Sequence, residues 1–99
     1  MVVIHIEHAV SEYASWKRAF DRDPVGRQAG GVRRYRVYRS VSDPGRVAID
    51  LEFDDRPTAL AFEAGLRRLW SSAAVGGLGI GRPEASVLEV AEAVEVGSV

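Results

Sequence analysis

The 99-residue chain contains no cysteine, no long apolar run and no large excess of charge of either sign. The absence of cysteine excludes disulfide bonds, thiolate zinc sites, iron–sulfur clusters and thiol nucleophiles. The 13 Lys and Arg residues nearly balance the 14 Asp and Glu residues, so the chain has no bulk positive field that would attract a polyanion. We therefore expect no nucleic-acid partner.

The first residues carry neither the basic segment of a signal peptide nor the apolar stretch of a membrane span. We accordingly expect a cytoplasmic protein with no membrane partner. A length of 99 residues at 46% hydrophobic composition predicts a single domain, 1–99, built around one core.

Hydrophobic periodicity predicts six elements in the order βαββαβ. The first helix is expected to begin at Ser11, a good N-cap residue, and to place Tyr13, Trp16 and Phe20 on one side. A turn sequence, Ser-Asp-Pro-Gly-Arg at 42–46, indicates a hairpin between the second and third strands. The predicted bounds are strands at 2–9, 32–41, 47–53 and 86–94, helices at 11–22 and from the Asp54-Asp55 caps to about 72, and a glycine-rich connection at 73–85.

This order predicts an α+β, ferredoxin-like fold: a four-stranded antiparallel sheet in the order 4-1-3-2, with both helices on one face. The residues expected to face the helices are Ile4, Ile6, Tyr35, Val37, Ile49, Leu51, Phe53, Leu88 and Val90. The other face should carry Val3, His5, Glu7, Arg34, Arg36, Tyr38, Ala48, Asp50, Glu52, Val87, Glu89 and Ala91. Charged residues interleaved with Val and Ala suit partial burial of this face by a second copy.

The chain resembles the dimeric α/β-barrel superfamily, and within it the small proteins grouped with antibiotic biosynthesis monooxygenases. The resemblance rests on the order of elements, the His-containing first strand and the Tyr-x-x-Trp-x-x-x-Phe helix at 13–20. The resemblance implies a homodimer whose two sheets pack face to face. It also implies a cleft between sheet and helices that holds a small hydrophobic or aromatic molecule, oxidised without metal or flavin. The chain contains no asparagine, and it departs there from the members that use an Asn in the site.

Two sets of candidate site residues follow. His8, Arg36, Tyr38 and Asp50 are the candidate catalytic residues, and Trp16, Phe62, Trp70 and His5 are the candidate ligand-binding residues. His5 and His8 fall on opposite faces of a strand, so we expect no metal site. Each candidate also has a structural interpretation: His8 as a hydrogen-bonded residue at the strand-to-helix junction, and the charged residues as cross-strand ion pairs at a dimer interface.

RNA binding and phosphate binding fit the sequence less well. An RNA-recognition motif has the same topology, but it needs exposed aromatics where this chain has His5, Glu7, Asp50 and Glu52. The glycine run at 76–81 lacks the spacing and the lysine of a phosphate-binding loop, and it is better explained as a flexible connection. A non-catalytic dimeric module that binds a small molecule remains the alternative, since regulatory domains share the βαββαβ topology.

Overall fold

A computed structural model describes residues 1–71 and 80–97, with the backbone alone for residues 80–82. The strands and helices, in chain order, are β1 (Val2–Ala9), α1 (Tyr13–Asp21), β2 (Arg34–Arg39), β3 (Arg46–Phe53), α2 (Arg56–Trp70) and β4 (Ile80–Glu89). The strands form one antiparallel sheet in the order β2-β3-β1-β4. The predicted ferredoxin-like topology is therefore confirmed.

The core lies between the sheet and the two helices. Alternate residues of β1 and β3 are buried there, because successive side chains of a strand point to opposite faces. Trp16 of α1, with Ala59, Phe62 and Leu66 of α2, closes the core from the helix side. The sheet contributes Val2, Ile4, Ile6, Val47, Ile49, Leu51 and Phe53. We call this side of the sheet the helix-facing side and the opposite side the open face.

The prediction for β4 was wrong in both position and facing. The strand spans Ile80–Glu89, so it begins before the predicted position, inside the stretch assigned to a connection. Its register pairs Ile4 with Val87 and Val3 with Leu88. Val87 consequently packs against the core, whereas Leu88 lies on the open face and is 50% exposed. Val87 and Leu88 are both apolar, so alternation alone does not say which of them points inward.

The helix starts differ in how they are capped. α1 begins at Tyr13 with Glu12 in the N-cap position, so the assignment of Ser11 to that position was wrong. α2 begins with a true cap, because the Asp55 carboxylate accepts a hydrogen bond from the Thr58 backbone N–H at 2.9 Å. Pro57 occupies the first turn of α2, where its missing N–H has no helical partner to lose. An ion pair between Arg56 and Glu89 joins the start of α2 to the end of β4.

Candidate functional site

His8 lies on the helix-facing side, near the end of β1. Its cross-strand partner is Val47, which is buried, and its ring Nε2 is buried as well. The other residues that β1 and β3 place on this side are all apolar. His8 is thus the one titratable residue that these two strands present to the core.

A row of aromatic rings leads from the start of α1 to β2. Successive ring centroids lie 5.9, 5.1 and 5.4 Å apart, in the order Tyr13, Trp16, Phe20, Tyr35. Two guanidinium groups lie over the ends of this row: that of Arg39 is 4.2 Å from the Tyr13 ring, and that of Arg27 is 4.0 Å from the Phe20 ring and 4.8 Å from the Tyr35 ring. Each is close enough for a cation–π interaction. The row therefore presents an aromatic surface with cations at both ends.

The predicted ligand-binding residues Trp16 and Trp70 lie on this side too. Trp16 is 7% exposed and stacks on Phe20, and Trp70 packs against the core from the last turn of α2. α2 starts near the end of β3 that pairs with Val2, and it runs back along the sheet. Its last residue, Trp70, therefore lies toward the end of β1 that carries His8.

The open face carries a connected polar network. We call it the open-face network, and its members are Tyr38, Asp50, His5, Glu7 and Arg46. His5 Nδ1 lies 2.6 Å from Asp50 Oδ1, and its Nε2 lies 3.3 Å from Glu7 Oε2. The Tyr38 hydroxyl donates to Asp50 Oδ2 at 3.0 Å, and Arg46 donates to Glu7 Oε1 at 3.1 Å. One imidazole thus connects two carboxylates, each of which has a second donor.

This geometry favours the charged forms of His5 and Glu7. The hydrogen bond that His5 donates to the Asp50 carboxylate raises the pKa of His5 above its ordinary value of 6.5, and Glu7 adds to the effect. The hydrogen bond from Arg46 lowers the pKa of Glu7, with His5 contributing less. As an imidazolium, His5 donates from both ring nitrogens, one to each carboxylate.

A second ion pair lies beside this network, toward the β2 edge. Arg34 makes two hydrogen bonds to the Glu52 carboxylate, at 3.1 and 3.0 Å, and Glu52 holds the pKa of Arg34 above its usual range. The Glu52 side chain is only 11% exposed, although it belongs to the open face. Arg36 lies directly opposite Asp50 in the register, but it forms no ion pair with any residue that the structure describes.

The sheet separates the predicted site residues into two groups. His8, Trp16, Phe62 and Trp70 belong to the helix-facing side, whereas His5, Arg36, Tyr38 and Asp50 belong to the open face. The cross-strand ion pairing of charged residues on the open face is observed between His5 and Asp50 and between Arg34 and Glu52. Within one subunit, the two groups cannot contact the same small molecule, because the full thickness of the sheet lies between them.

A groove runs along α2, on the side that faces the α1–β2 loop. We call it the α2 groove, and its volume is about 570 Å³. The loop contributes Val25, Ala29 and Gly30, and α2 contributes Pro57, Thr58, Ala61, Phe62, Gly65 and Arg68. Of the residues predicted to bind a ligand, only Phe62 lines it.

Glycine makes the close approach of this loop to α2 possible. A Cβ atom at Gly30 would lie 2.4 Å from Cδ2 of Phe62, and one at Gly31 would lie 2.5 Å from Cγ2 of Thr58. Gly31 also has a φ of +93°, which side-chain-bearing residues rarely adopt. The sequence contained a signal for this contact, the Gly30-Gly31 pair, but nothing local to the pair identifies α2 as its partner.

The described residues form neither a metal site nor a membrane-spanning helix. Among residues 1–71 and 80–97, no group of three or more His, Asp or Glu side chains is placed to hold a metal ion. In the same ranges, no helix is long and apolar enough to cross a membrane. Residues 76–79 of the glycine run lie outside the described residues, and their assignment to a flexible connection stays a prediction.

Neither a family model nor a curated protein matches this sequence. Solved structures, however, resemble the fold over nearly the whole chain. A candidate antibiotic biosynthesis monooxygenase from Deinococcus radiodurans superposes with a TM-score of 0.68 at 20% identity, covering 97% of this chain and 98% of that one. SnoaB, a cofactor-independent oxygenase from Streptomyces nogalater, gives 0.68 at 15% identity over 94% and 95%.

A dimeric ferredoxin-like protein from an uncultured marine organism also gives a TM-score of 0.68, at 15% identity, over 94% of this chain and 97% of that one. Identities this low establish the fold and not the activity. The chain has the ferredoxin-like fold of the antibiotic biosynthesis monooxygenase-like proteins.

Proposed function

We propose that the chain forms a cytoplasmic homodimer through the open face, and that each subunit binds a small hydrophobic, aromatic molecule on the helix-facing side and oxidises it without metal or flavin. In this proposal His8 is the proton acceptor, and Trp16 and Trp70 form the aromatic walls. SnoaB, with the same fold, is a cofactor-independent oxygenase, which supports this reaction class.

The observation that carries the catalytic proposal is the position of His8. It is the one titratable residue of β1 and β3 on an otherwise apolar side of the sheet, and it lies at the end toward which Trp70 also extends. An imidazole can accept a proton from a bound phenol or enol, and a base on an otherwise apolar side of the sheet is well placed for a hydrophobic substrate.

The reaction needs only dioxygen as a second substrate. A base removes a proton from a phenolic or enolic substrate, and the resulting electron-rich anion reduces dioxygen directly. Overall, a methylene group and O₂ give a carbonyl group and H₂O, so atoms and electrons balance with no other reductant. The protein's contribution is to bind the ring, accept the proton and exclude water.

Oxygen consumption with anthrone as the probe tests this proposal. We expect the wild-type protein to consume O₂ and the His8→Gln variant to lose about a hundredfold in rate, the usual scale for losing a general base. His5→Gln is the matched control, because it removes the chain's other histidine from the opposite face. Wild-type turnover no faster than that of His8→Gln would refute the catalytic part.

The charges of the open face support the dimer. Arg34 and Arg36 lie at the β2 edge of this face, and Glu84 lies on β4, at the opposite edge. If two copies pack face to face about a two-fold axis parallel to the strands, β2 of one copy lies over β4 of the other. This arrangement sets the basic edge against the acidic edge, which favours association.

Light scattering with a charge swap tests this arrangement. We expect a species of twice the 10.8 kDa chain mass for the wild type and a weakened dimer for Arg36→Glu. The double variant Arg36→Glu with Glu84→Arg should restore the dimer, since both contacts of the symmetric pair are then reversed together. A wild-type monomer at micromolar concentration would refute the dimer.

A second candidate is a dimeric module that binds the same class of molecule without turnover. The observation that favours it is the separation of the predicted catalytic residues, because Tyr38, Asp50 and Arg36 lie on the face opposite His8. Saturable binding of anthrone without oxygen consumption would identify this function.

A further inference from the structure

The α2 groove has features that the proposed function does not use. His8, Trp16 and Trp70 are not among its lining residues, so it is distinct from the proposed oxidation site. Its volume of about 570 Å³ lies within the range of about 300–1,000 Å³ that small-molecule sites occupy. We propose that the α2 groove is a second binding site, and that its ligand is a small monocarboxylic acid with an apolar, aryl or alkyl body.

The charge of the lining points to an anionic ligand. Arg68 supplies the one charged side chain among the residues that line the groove, and no acidic residue accompanies it there. Within the described ranges, Arg68 forms no ion pair, whereas its neighbour Arg67 is bound to Glu63 at 3.0 Å. A guanidinium without a protein carboxylate is free to bind one supplied by a ligand, in the bidentate geometry that suits both groups.

The position of the guanidinium places that charge over the groove. A Cβ atom at Gly65 would lie 3.7 Å from Nη2 of Arg68 and 3.6 Å from Cγ1 of Val25. The Arg68 side chain therefore extends back along α2 toward Gly65, and the loop residue Val25 faces the same point from the other wall. The cation and the apolar wall are close enough together to be contacted by one small molecule.

The rest of the lining suits an apolar body. Spacings of three and four residues place Thr58, Ala61, Gly65 and Arg68 on one side of α2. Because Ala61 and Gly65 have small side chains, they leave space for a ligand between Thr58 and Arg68. The Phe62 ring, which packs under Gly30, gives the groove an aromatic wall. The eleven residues from Thr58 to Arg68 span roughly 15 Å of helix, enough for a ring and a short alkyl chain.

Isothermal titration of the full chain with 4-phenylbutanoate tests the site, with 4-phenylbutan-1-ol as the uncharged analogue. We expect saturable binding of the acid, and about a tenfold loss of affinity for Arg68→Gln, the scale of one charge-assisted hydrogen bond. Arg67→Gln is the matched control, because its side chain is engaged with Glu63, and it should retain the affinity within about twofold. The alcohol should bind wild type and Arg68→Gln equally.

Blocking the groove is an independent check. Gly65→Leu should abolish binding of the acid, whereas Gly65→Ala adds one methyl group at ordinary contact distances and should keep the fold and most of the affinity. Oxygen consumption with anthrone should persist in Arg68→Gln, which separates this site from the oxidation site. The proposal would be overturned if the acid showed no saturable binding, if acid and alcohol bound equally, or if Arg67→Gln lost as much affinity as Arg68→Gln. A change of oligomeric state in Gly65→Leu would also overturn it, because a second copy of the chain would then be the occupant of the groove.

Discussion

The two faces of the sheet use the same strands for different purposes. On the helix-facing side, the apolar residues of β1 and β3 are buried against the helices, and the stabilisation comes from removing apolar surface from water. On the open face, the same strands carry a chain of hydrogen-bonded charges, most of them partly exposed. The helix-facing side therefore determines whether the chain folds, whereas the open face carries the charged groups on which the pH response and the proposed dimer depend.

The largest expected difference concerns leucine on the two faces. Leu51→Ala removes a side chain that is 2% exposed and should lower the free energy of unfolding by about 3 kcal/mol. Leu88→Ala makes the same chemical change at a position that is 50% exposed, and in a dilute monomer it should cost about 0.5 kcal/mol or less. Urea denaturation of both variants measures the difference. Equal losses would contradict the division between the faces.

The next effect concerns an acid that the open face itself nearly buries. Arg34→Gln leaves the Glu52 carboxylate, 11% exposed, without its bidentate donor, and should lower the free energy of unfolding by more than the loss of a fully exposed ion pair does. The neighbouring pair of Arg33 with Asp54 is exposed at both partners, by 68% and 61%, so Arg33→Gln should cost about 0.5 kcal/mol or less. Urea denaturation of both variants measures the two losses of stability. A larger loss for Arg33→Gln than for Arg34→Gln would show that burial of Glu52 is not the cause.

The open-face network predicts a dependence on pH. Because the folded state raises the pKa of His5 above 6.5, protonated His5 stabilises the fold fully at pH values below 6.5, and this contribution is lost as the pH rises through the raised pKa. Asp50→Asn should bring the pKa of His5 back toward 6.5. NMR titration can follow it, since the chain has only two histidines. Asp54→Asn, whose carboxylate pairs with Arg33, is the control and should leave His5 unchanged.

The smallest expected effect is that of Tyr38→Phe. The variant loses one hydrogen bond to Asp50 at a side chain that is 40% exposed, and should cost about 0.5 kcal/mol. If oxidation takes place on the helix-facing side, the rate of oxygen consumption should stay within about twofold of the wild type. A loss as large as that of His8→Gln would move the reaction to the open face.

Several elements of the fold could be predicted because local pattern and global fold agree. β1 has the predicted bounds, and strict alternation in β3 places Ile49 and Leu51 inward and Asp50 outward, as observed. From these strands the contact of His5 with Asp50 followed, since it needs only the order of the strands and the facing of each residue. In β4, the register was ambiguous because Val87 and Leu88 are both apolar and because the sequence before them is rich in glycine. The pairing of β4 with β1 determines which of the two residues points inward.

The candidate sites were less predictable, because they depend on contacts between distant segments. The hydrogen bond from Arg46 to Glu7 connects residues on neighbouring strands, and it depends on the reach of a long side chain rather than on facing alone. The α2 groove exists only because the α1–β2 loop lies against Phe62 and Thr58. Nothing in either segment alone indicates the distance between them.

The central position of β1 also sets the order in which the chain can fold. β1 comes first in the sequence, but its neighbours in the sheet, β3 and β4, come much later. The most distant pairing joins Val2 to Glu89. Closing such distant pairings is slow, because the loop entropy is lost before the contacts form. Until β4 is added, the strand Val2–Ala9 has an unpaired edge of the kind that can pair with other chains. During synthesis, the last strand therefore protects the first strand from pairing with another molecule.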